Sequence, residues 1–424
     1  MISPARSAAF RALVLFRRNN RIILPHCNED VDRHLAERIY YGVLQNERFL
    51  DFCLAQLITR GFHRLHPAVL DLLRLSAYQI LFLDRIPDSD VVNDAVELCR
   101  KASYYHHAGL VNAVLRKLSG HRDEFMAMSP SLAVRFSHPD WMVARLTERY
   151  GEEFTEALLK ANQCIPALRL QINTDLCTAR QFTEYLKQNG VEIISVNNQL
   201  CSVLVGSTAV EGLPGYREGL FYIQDDAART SVHLAGITRG MDVLDACAAP
   251  GGKSIAAKLE GGNPVSCDIS ADRLQRCAEN YQRLKMDIPV LLRDAGVFYP
   301  EFESRFPLVI ADVPCTGTGI IRKHPEIRYK TESEFLNLLE IQRSILENVH
   351  RYVSPGGLLL YSTCSVMQEE NESQIESFLR DHREFHLEPV KSENDPCMNG
   401  MFHSWPHLTG NDGFFTAKLR YKHA

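Results

Sequence analysis

Two cysteines lie where apolar stretches of the sequence give way to polar residues. Cys315 belongs to the segment ADVPCTGTG, and Cys364 belongs to YSTCSVMQEENE. A thiolate is a strong nucleophile that forms covalent intermediates when it lies in an accessible loop. A single cysteine of this kind is more often an inert, buried thiol. The flanking Asp, Pro, Ser, Thr and Gly residues favour loop positions for both cysteines, so the pair is a candidate for thiol chemistry.

A glycine-containing loop follows the apolar stretch that ends at Asp245, in the segment DACAAPGGKS. Two adjacent glycines let the backbone approach a ligand closely just before a helix begins. A phosphate-binding P-loop requires glycine five positions before the Gly-Lys pair, where Cys247 stands here, and the dinucleotide fingerprint GxGxxG is absent. A Gly-Gly turn taken alone is structural more often than functional.

Two further acidic residues end later apolar stretches. Asp268 comes about twenty residues after Asp245, where a carboxylate can accept hydrogen bonds from ribose hydroxyls. Asp294 ends the next stretch, in a position suited to the adenine end of a nucleoside. An isolated aspartate at a strand end is usually a helix N-cap. Three acids on successive strands are better explained by one nucleoside ligand across the edge of a sheet.

The elements that position these residues are short apolar strands that alternate with helical stretches from residue 229 onward. Such a pattern predicts a parallel sheet covered by helices on both faces, with ligands at the carboxyl ends of the strands. The predicted strands are Asp242–Asp245, Pro264–Asp268, Val290–Asp294, Leu308–Asp312 and Leu358–Ser362.

Two other regions precede this α/β domain. Residues 1–125 have helical periodicity almost throughout, as in the apolar faces that include Leu73 and Ile80. Residues 128–228 alternate between strand patterns and a helix that Thr178 and Gln181 would cap. We therefore predict an all-α domain at 1–125, a small α+β module at 128–228 and an α/β domain at 229–424.

Composition narrows the class of protein. Hydrophobic residues make up 45% and charged residues 23% of the 424 residues, which is typical of a globular protein. The net charge of −5 means that any contact with nucleic acid must use local basic patches. Two candidate patches are Arg6, Arg11, Arg17, Arg18 and Arg21, and the group Arg322, Lys323, His324 and Arg328.

Two patterns that the sequence lacks, a long apolar stretch and a C-x-x-C pair, bear on its cellular compartment and on metal binding. No stretch of about 18 consecutive apolar residues occurs, and arginines interrupt the apolar N-terminal segment, which predicts an amphipathic helix there. We therefore expect a cytoplasmic protein without membrane attachment. The twelve cysteines include no C-x-x-C pair, so neither a zinc ribbon nor a disulfide framework is predicted, and we expect no metal.

Taken together, the motifs resemble those of the NOL1/NOP2/Sun family of RNA 5-methylcytosine methyltransferases. The resemblance rests on DACAAPGGKS, Asp268, Asp294, ADVPCTGTG with IRKHPEIRY, YSTCSVMQEENE and the C-terminal PHLTGNDGFFTAKL. The segments VVNDAVELCRKA and GLVNAVLRKL resemble the RNA-binding antiterminator NusB. The resemblance thus implies a multi-domain fold with an all-α NusB-like N-terminal domain, a small α+β RNA-recognition-like module and a C-terminal α/β Rossmann-like methyltransferase domain.

The resemblance also implies a cofactor, S-adenosylmethionine, and a role for each motif residue. Asp268 would hold the ribose and Asp294 the adenine, while Asp312 would be both a cofactor-binding residue and the catalytic residue that meets the target cytosine. Cys364 would be the nucleophile, and Cys315 would assist elimination or release. The loop beside the methionyl part would comprise Cys247, Ala248, Ala249, Pro250, Gly251, Gly252 and Lys253.

The chemistry explains why a cysteine is needed. C5 of cytosine is a poor nucleophile, and addition of a thiolate at C6 places electron density on C5. DNA cytosine methyltransferases attack from a Pro-Cys motif like Pro314-Cys315, so the second motif around Cys364 favours RNA over DNA. The target base must leave its stack, and Arg322, Lys323, His324 and Arg328 are candidates to hold the flanking phosphates.

Several alternatives remain at this stage. The NusB-like domain favours 16S ribosomal RNA as the partner, and the resemblance implies a monomer, but tRNA or a protein side chain are other possible substrates. A non-catalytic RNA-binding assembly factor that retains a cofactor pocket is the alternative from another class.

Overall fold

We describe the chain from a computed structural model, for residues 2–19, 21–58, 61–206, 209–390 and 399–422. These residues divide into two compact units, of which the first is Met1–Gln163 with His324–Tyr329 and the second is Cys164–Lys323 with Lys330–Ala424. The boundaries of the three domains at 1–125, 128–228 and 229–424 stay predictions. None of the helices in the described ranges is long and apolar enough to cross a membrane.

The first unit is helical, which confirms the predicted all-α N-terminal region. Leu73 and Ile80 are fully buried on the third helix, as their periodicity predicts. A short 3-10 helix at Pro325–Tyr329 also belongs to this unit. The helices are α1 Pro4–Asn19, α2 Asp30–Leu57, α3 Pro67–Phe82, α4 Asp88–Lys101, α5 Ala108–Gly120, α6 Arg122–Ala127, α7 Leu132–Arg135, α8 Asp140–Tyr150 and α9 Glu152–Ala161.

The N-terminal basic patch is only partly a surface feature. Arg6 is buried, donates to the side chain of Gln79 at 2.8 Å and forms an ion pair with Asp94. Arg17 pairs with Glu47 and Asp71. These two arginines are therefore held within the helical unit, whereas Arg11, Arg18 and Arg21 are exposed.

The second unit begins with an antiparallel four-stranded sheet in the order β2-β3-β1-β4, packed against one helix, as the α+β prediction requires. Thr178 and Gln181 form the expected capping box at the start of that helix. The elements are β1 Leu168–Ile172, α10 Ala179–Gln188, β2 Ile193–Asn197, β3 Ser202–Val205 and β4 Phe221–Ile223.

The rest of the second unit is built on a mixed sheet in the order β10-β12-β9-β8-β5-β6-β7. The five strands β9, β8, β5, β6 and β7 run parallel to one another, and β11 pairs with β12. All five predicted strands are present, although the third ends at Leu292 and leaves Asp294 in the following loop. The elements are α11 Asp226–His233, β5 Asp242–Asp245, α12 Gly252–Leu259, β6 Asn263–Asp268, α13 Ala271–Arg283, β7 Val290–Leu292, β8 Phe306–Asp312, α14 Glu332–Val349, β9 Val353–Thr363, α15 Glu372–Asp381, β10 Phe385–Leu387, β11 Phe402–Ser404, α16 Pro406–Thr409 and β12 Phe414–Tyr421.

Both faces of this sheet are covered by helices. On β8, Leu308 and Ile310 pack in a core shared with α11 and α12, while Val309 and Ala311 pack in a core shared with α14 and α15. Alternate residues of a strand point to opposite faces, so both must be apolar when both faces are buried. Because these five strands are parallel, the loops after their carboxyl ends lie at the same edge of the sheet.

Candidate active site

The glycine loop connects β5 to α12 and closes against β6. The N–H of Ala248 donates to the carbonyl of Cys267 at 2.8 Å, which fixes the loop beside the second strand. Gly251 has φ of +101°, and a Cβ there would lie 2.8 Å from the ring of Tyr281. Glycine is therefore required at this position both for the backbone conformation and for the space.

Asp245 lies directly before this loop and is fully buried. Its Oδ2 accepts a hydrogen bond from the Ser254 hydroxyl at 2.7 Å, while its Oδ1 has no hydrogen-bond partner. Burial raises the pKa of Asp245 to about 7. A buried acid with an unsatisfied oxygen fits a cationic or hydrogen-donating ligand group, and the amino-acid part of S-adenosylmethionine carries an ammonium. The sequence pattern places Asp245 among the three strand-end acids expected at a nucleoside site, but it gives Asp245 no individual role.

Asp268 joins the glycine loop to the start of α13. Its Oδ2 accepts from the N–H of Ala249 at 3.3 Å, and its Oδ1 accepts from the N–H of Ser270 at 3.0 Å and pairs with Arg273 at 2.8 Å. The carboxylate is thus held rigidly at the end of β6, although its backbone contacts are those of a loop residue instead of an N-cap.

Asp294 lies in the loop two residues beyond β7, and β7 is the strand next to β6. Its Oδ1 accepts from the N–H of Gly296 at 2.8 Å, which orients the side chain within the loop. Two apolar side chains next to these acids are more than half exposed, Ile269 at 61% and Leu292 at 54%. Exposed apolar residues beside hydrogen-bonding carboxylates suit a flat base such as adenine, and periodicity alone did not single them out.

Asp312 ends β8 and forms an ion pair with a buried lysine of the glycine loop. Lys253 Nζ lies 2.5 Å from Asp312 Oδ2, and the Ser362 hydroxyl donates to Asp312 Oδ1 at 2.9 Å. The ammonium also lies 4.7 Å from the centre of the Phe414 ring. About a third of the Asp312 side chain stays exposed, so the carboxylate is oriented but still accessible.

The two candidate cysteines lie at the ends of neighbouring parallel strands, β8 and β9. Their sulfur atoms are 3.3 Å apart, which is hydrogen-bonding contact and far longer than a disulfide bond of about 2 Å. The hydrogen bond with Cys364 and burial raise the pKa of the Cys315 thiol well above its ordinary value. The structure thus brings together the two cysteines that the sequence predicts to lie in loops and to form a candidate pair for thiol chemistry.

Buried polar residues after Cys364 hold both cysteine loops. Glu370 accepts hydrogen bonds from the N–H and the hydroxyl of Thr316, next to Cys315. Asn371 accepts from the hydroxyl of Thr363 and donates to the carbonyl of Ser365 at 3.0 Å, on either side of Cys364. Both residues lie within the quoted motif YSTCSVMQEENE, but the sequence assigns them no role, since the loop that Glu370 holds is more than fifty residues away in the chain.

The basic group after the cysteine loop is mostly engaged within the protein. Arg322 contacts Asp412 at 3.1 Å, and Lys323 contacts both Asp412 at 2.6 Å and Asp225 at 3.1 Å. Both predicted phosphate contacts are therefore members of a partly buried ion-pair network.

Arg328 is only 7% exposed and donates to the carbonyl of Asn162 at 3.0 Å within the helical unit. Little of its surface is accessible to a phosphate in this structure, and its assignment to RNA stays a prediction. His324 is exposed and lies 3.1 Å from Glu326.

One group in the described chain has the residue types of a metal site, away from the cysteines in sequence. Possible ligand atoms of Glu347, His350 and His382 lie within 4.8 Å of one another. His382 contacts the carboxylates of Glu347 at 2.9 Å and Glu384 at 3.2 Å, which is also the arrangement of an ordinary ion-pair cluster.

Comparison with known protein families gives matches along most of the chain. The family described as 16S rRNA methyltransferase RsmB/F matches residues 235–420, the NusB family matches residues 3–120, and the ferredoxin-like domain of RsmF/B-like methyltransferases matches residues 138–207. The order of these matches is the order of the three predicted domains.

Individual proteins match over nearly the whole length. The chain is 32% identical over 402 residues to the ribosomal RNA small subunit methyltransferase B of Cronobacter sakazakii, covering 93% of this chain and 92% of that protein. It is 30% identical over 444 residues to the probable ribosomal RNA small subunit methyltransferase B of Bacillus subtilis, covering 99% of each. A crystal structure of a protein named PH0851 has the same fold, with a TM-score of 0.79 at 24% identity over 99% of both chains.

Proposed function

Because this chain belongs to the RsmB/F family of 16S rRNA methyltransferases, we propose that it methylates C5 of a cytosine in small-subunit ribosomal RNA through a covalent bond between Cys364 and C6 of the base. The observation that carries this proposal is the pair of sulfur atoms 3.3 Å apart, in the loops that follow the paired strands β8 and β9, of which β8 ends at Asp312. A simple methyl transfer to a nitrogen or oxygen has no use for two such thiols.

The cofactor is S-adenosylmethionine, whose sulfonium supplies an electrophilic methyl group. The glycine loop and Asp245 would hold its amino-acid part, since Asp245 has a buried oxygen without a partner. Asp268 and Asp294 would accept hydrogen bonds from the ribose and the adenine, and the exposed Ile269 and Leu292 would cover the base.

Asp312 orients the target cytosine in this scheme. Lys253 and Ser362 each hold one oxygen of its carboxylate, and its exposed part would accept a further hydrogen bond from the exocyclic amine. That contact favours protonation at N3 and so withdraws electron density from C6. C6 then becomes the electrophilic carbon that a thiolate attacks.

Cys364 performs the covalent step. Its thiolate forms a bond to C6, and the electron pair of the C5–C6 double bond moves to C5, which thereby becomes a nucleophile. C5 would then bond to the methyl group as the S–CH3 bond of the sulfonium breaks, and the bonding pair would stay on sulfur, so that the neutral thioether leaves. A base next removes the proton from C5, the double bond re-forms, and the Cys364 thiolate leaves. Cys315 lies at the sulfur of Cys364 and assists this elimination.

The base must leave any stack to reach this edge of the sheet. Asp225 and Asp412 neutralise Arg322 and Lys323, so phosphate contacts near the cysteine loop fall to His324 among the predicted residues. The exposed Arg11, Arg18 and Arg21 are candidates for RNA contacts of the NusB-like domain.

Methyl transfer from tritiated cofactor tests the proposal directly. Unmodified 16S ribosomal RNA, small ribosomal subunits, 23S ribosomal RNA and tRNA would each be incubated with the protein, and the labelled nucleotide identified after digestion. We expect label in 5-methylcytosine of 16S RNA. Label in tRNA alone would reassign the substrate, label in another base would refute the reaction, and no label in any RNA would favour an assembly factor without catalysis.

A further inference from the structure

Two loops of the helical unit bring aromatic and basic side chains to its surface. The first contains a short 3-10 helix at Phe62–Arg64 and leads to His66, and the second joins α4 to α5 through a 3-10 helix at Tyr105–His107. The ring centroids of His66 and Tyr104 lie 4.6 Å apart, so the two loops are in contact. We call this surface the loop-pair surface, and its members are Arg64, His66, Lys101, Tyr104, Tyr105 and His106.

The ring of Tyr105 is open to solvent. Tyr105 is 60% exposed, and among the phenylalanine, tyrosine and tryptophan side chains in the described ranges it is the only one that is largely exposed. The neighbouring His106 is exposed as well, and the two ring centroids are 3.8 Å apart. Exposed rings of this kind offer a flat face on which an unpaired nucleic-acid base can stack.

The backbone and one helix cap hold these rings in place. Ser103 has φ of +67°, and the N–H of Tyr104 donates to the carbonyl of Cys99 at 2.9 Å, which ends α4 in a tight turn. Nδ1 of His66 accepts from the N–H of Ala68 at 3.2 Å, so this imidazole is fixed as the cap of α3. A surface that is ordered in advance loses less conformational entropy when a ligand binds.

Acidic residues are missing from the two sequence segments that form this surface. No aspartate or glutamate occurs in residues 52–70 or 98–122, although the whole sequence contains 52 of them and has a net charge of −5. A polyanion would be repelled by most surfaces of an acidic protein, and these segments contribute no such repulsion. The loop-pair surface is therefore electrostatically suited to a phosphate backbone.

Each of the two loops also contributes one exposed cation. Arg64 and Lys101 are exposed, and neither forms an ion pair with a carboxylate of the described residues. Arg100, in contrast, pairs with Glu97 at 3.2 Å. Cations beside exposed rings are the arrangement that binds single-stranded nucleic acid, because the cations contact phosphates while the rings stack with bases.

We propose that the loop-pair surface binds a single-stranded segment of the substrate RNA, with a base stacked on Tyr105 and phosphates at Arg64 and Lys101. The proposal rests on the proposed function in taking RNA as the substrate, and it adds where the helical unit contacts that RNA. The exposed arginines of α1 supply charge alone, since Tyr105 is the only largely exposed ring of the described aromatic residues.

Fluorescence anisotropy with the full-length protein tests the stacking contact. The probes are a short fluorescein-labelled single-stranded RNA of mixed sequence and the duplex of the same sequence. Stacking requires an unpaired base, so Tyr105→Leu should weaken single-strand binding about 5- to 150-fold and leave duplex binding unchanged. Tyr105→Phe keeps the ring and should stay within about twofold of the wild type.

The salt dependence of single-strand binding tests the two cations. The double variant Arg64→Gln/Lys101→Gln should reduce the slope of log Kd against log salt by about 1.4, since each phosphate contact to a single strand contributes about 0.7. Tyr105→Leu should leave that slope unchanged. The matched control is Arg380→Gln/Arg383→Gln, which removes two exposed arginines at the end of α15 and should bind like the wild type.

Unchanged single-strand binding in a folded Tyr105→Leu protein would overturn the proposal, and so would an equal loss in Tyr105→Phe or in the α15 double variant. Methylation kinetics separate this proposal from the proposed function. Tyr105→Leu should raise the KM for 16S ribosomal RNA and leave both kcat and the KM for S-adenosylmethionine unchanged. If the wild type binds RNA through Tyr105 but methylates none, the proposed function fails and the loop-pair surface stands. If it methylates 16S RNA and Tyr105→Leu does so with the same KM, only the present inference fails.

Discussion

Replacement of Asp268 tests how the edge of the sheet holds the cofactor. In the protein alone, Oδ1 of Asp268 already accepts from Ser270 and Arg273, at 3.0 and 2.8 Å, while Oδ2 has only the 3.3 Å contact with Ala249. Oδ2 is therefore the atom with capacity for a ribose hydroxyl. A hydrogen bond to a charged group contributes about 1.5 to 3 kcal/mol, so Asp268→Ala should weaken S-adenosylmethionine binding by about 10- to 150-fold.

Isothermal titration calorimetry with S-adenosylmethionine measures this change. Asp268→Asn keeps one acceptor oxygen and should fall between the wild type and Asp268→Ala, while the exposed neighbour Asp272→Ala serves as the control. Asp268→Ala also removes the acceptor of the Ala249 and Ser270 N–H groups, which should lower the stability of this variant. The titration must therefore be run well below the melting temperature of each variant. Unchanged affinity in a folded Asp268→Ala protein would remove Asp268 from the cofactor site.

Two further predictions concern stability. The pKa of Asp245 is raised to about 7 from an unfolded value of about 3.9, so the folded protein should lose stability as the pH rises between these values, on the order of 4 kcal/mol at most. The free energy of unfolding measured in urea should therefore fall with pH in the wild type, and Asp245→Asn should lack that dependence. The same pH dependence in both proteins would contradict the prediction. Gly319 donates its N–H to the carbonyl of Cys364, and a Cβ at this position would lie 2.1 Å from the carbonyl oxygen of Gly413. Gly319→Ala should therefore lower the free energy of unfolding by about 1 to 3 kcal/mol and reduce methylation activity. The control is Gly120→Ala, where a Cβ meets no atom within 4 Å, and equal effects of the two substitutions would refute the packing argument.

The parts of this fold that could be predicted are those whose signals are local. Thr178 and Gln181 are three residues apart, and their capping box depends only on that spacing. Strand positions followed from apolar runs, and the meeting of Cys315 and Cys364 followed from the rule that parallel strands end at one edge of a sheet.

The parts that sequence could not supply depend on partners distant in the chain. In the sequence, Arg322 and Lys323 look like part of a basic surface. In the structure they form ion pairs with Asp225 and Asp412, which lie about 90 residues or more away in the chain. Arg328 belongs by its contacts to the helical unit, which no local pattern around it indicates. Periodicity identifies faces of elements, and it does not identify which surface charge a distant loop will neutralise.

The most direct test of the central claim is a denaturing gel of labelled 16S RNA after incubation with S-adenosylmethionine and four proteins: the wild type, Cys364→Ala, Cys315→Ala and the double variant. Because Cys364 forms the bond to C6 and Cys315 assists its release, Cys315→Ala should accumulate a protein–RNA adduct that survives denaturation, while Cys364→Ala should give neither adduct nor methylation. An adduct in Cys364→Ala that disappears when Cys315 is also replaced would contradict the account, since it would make Cys315 the nucleophile.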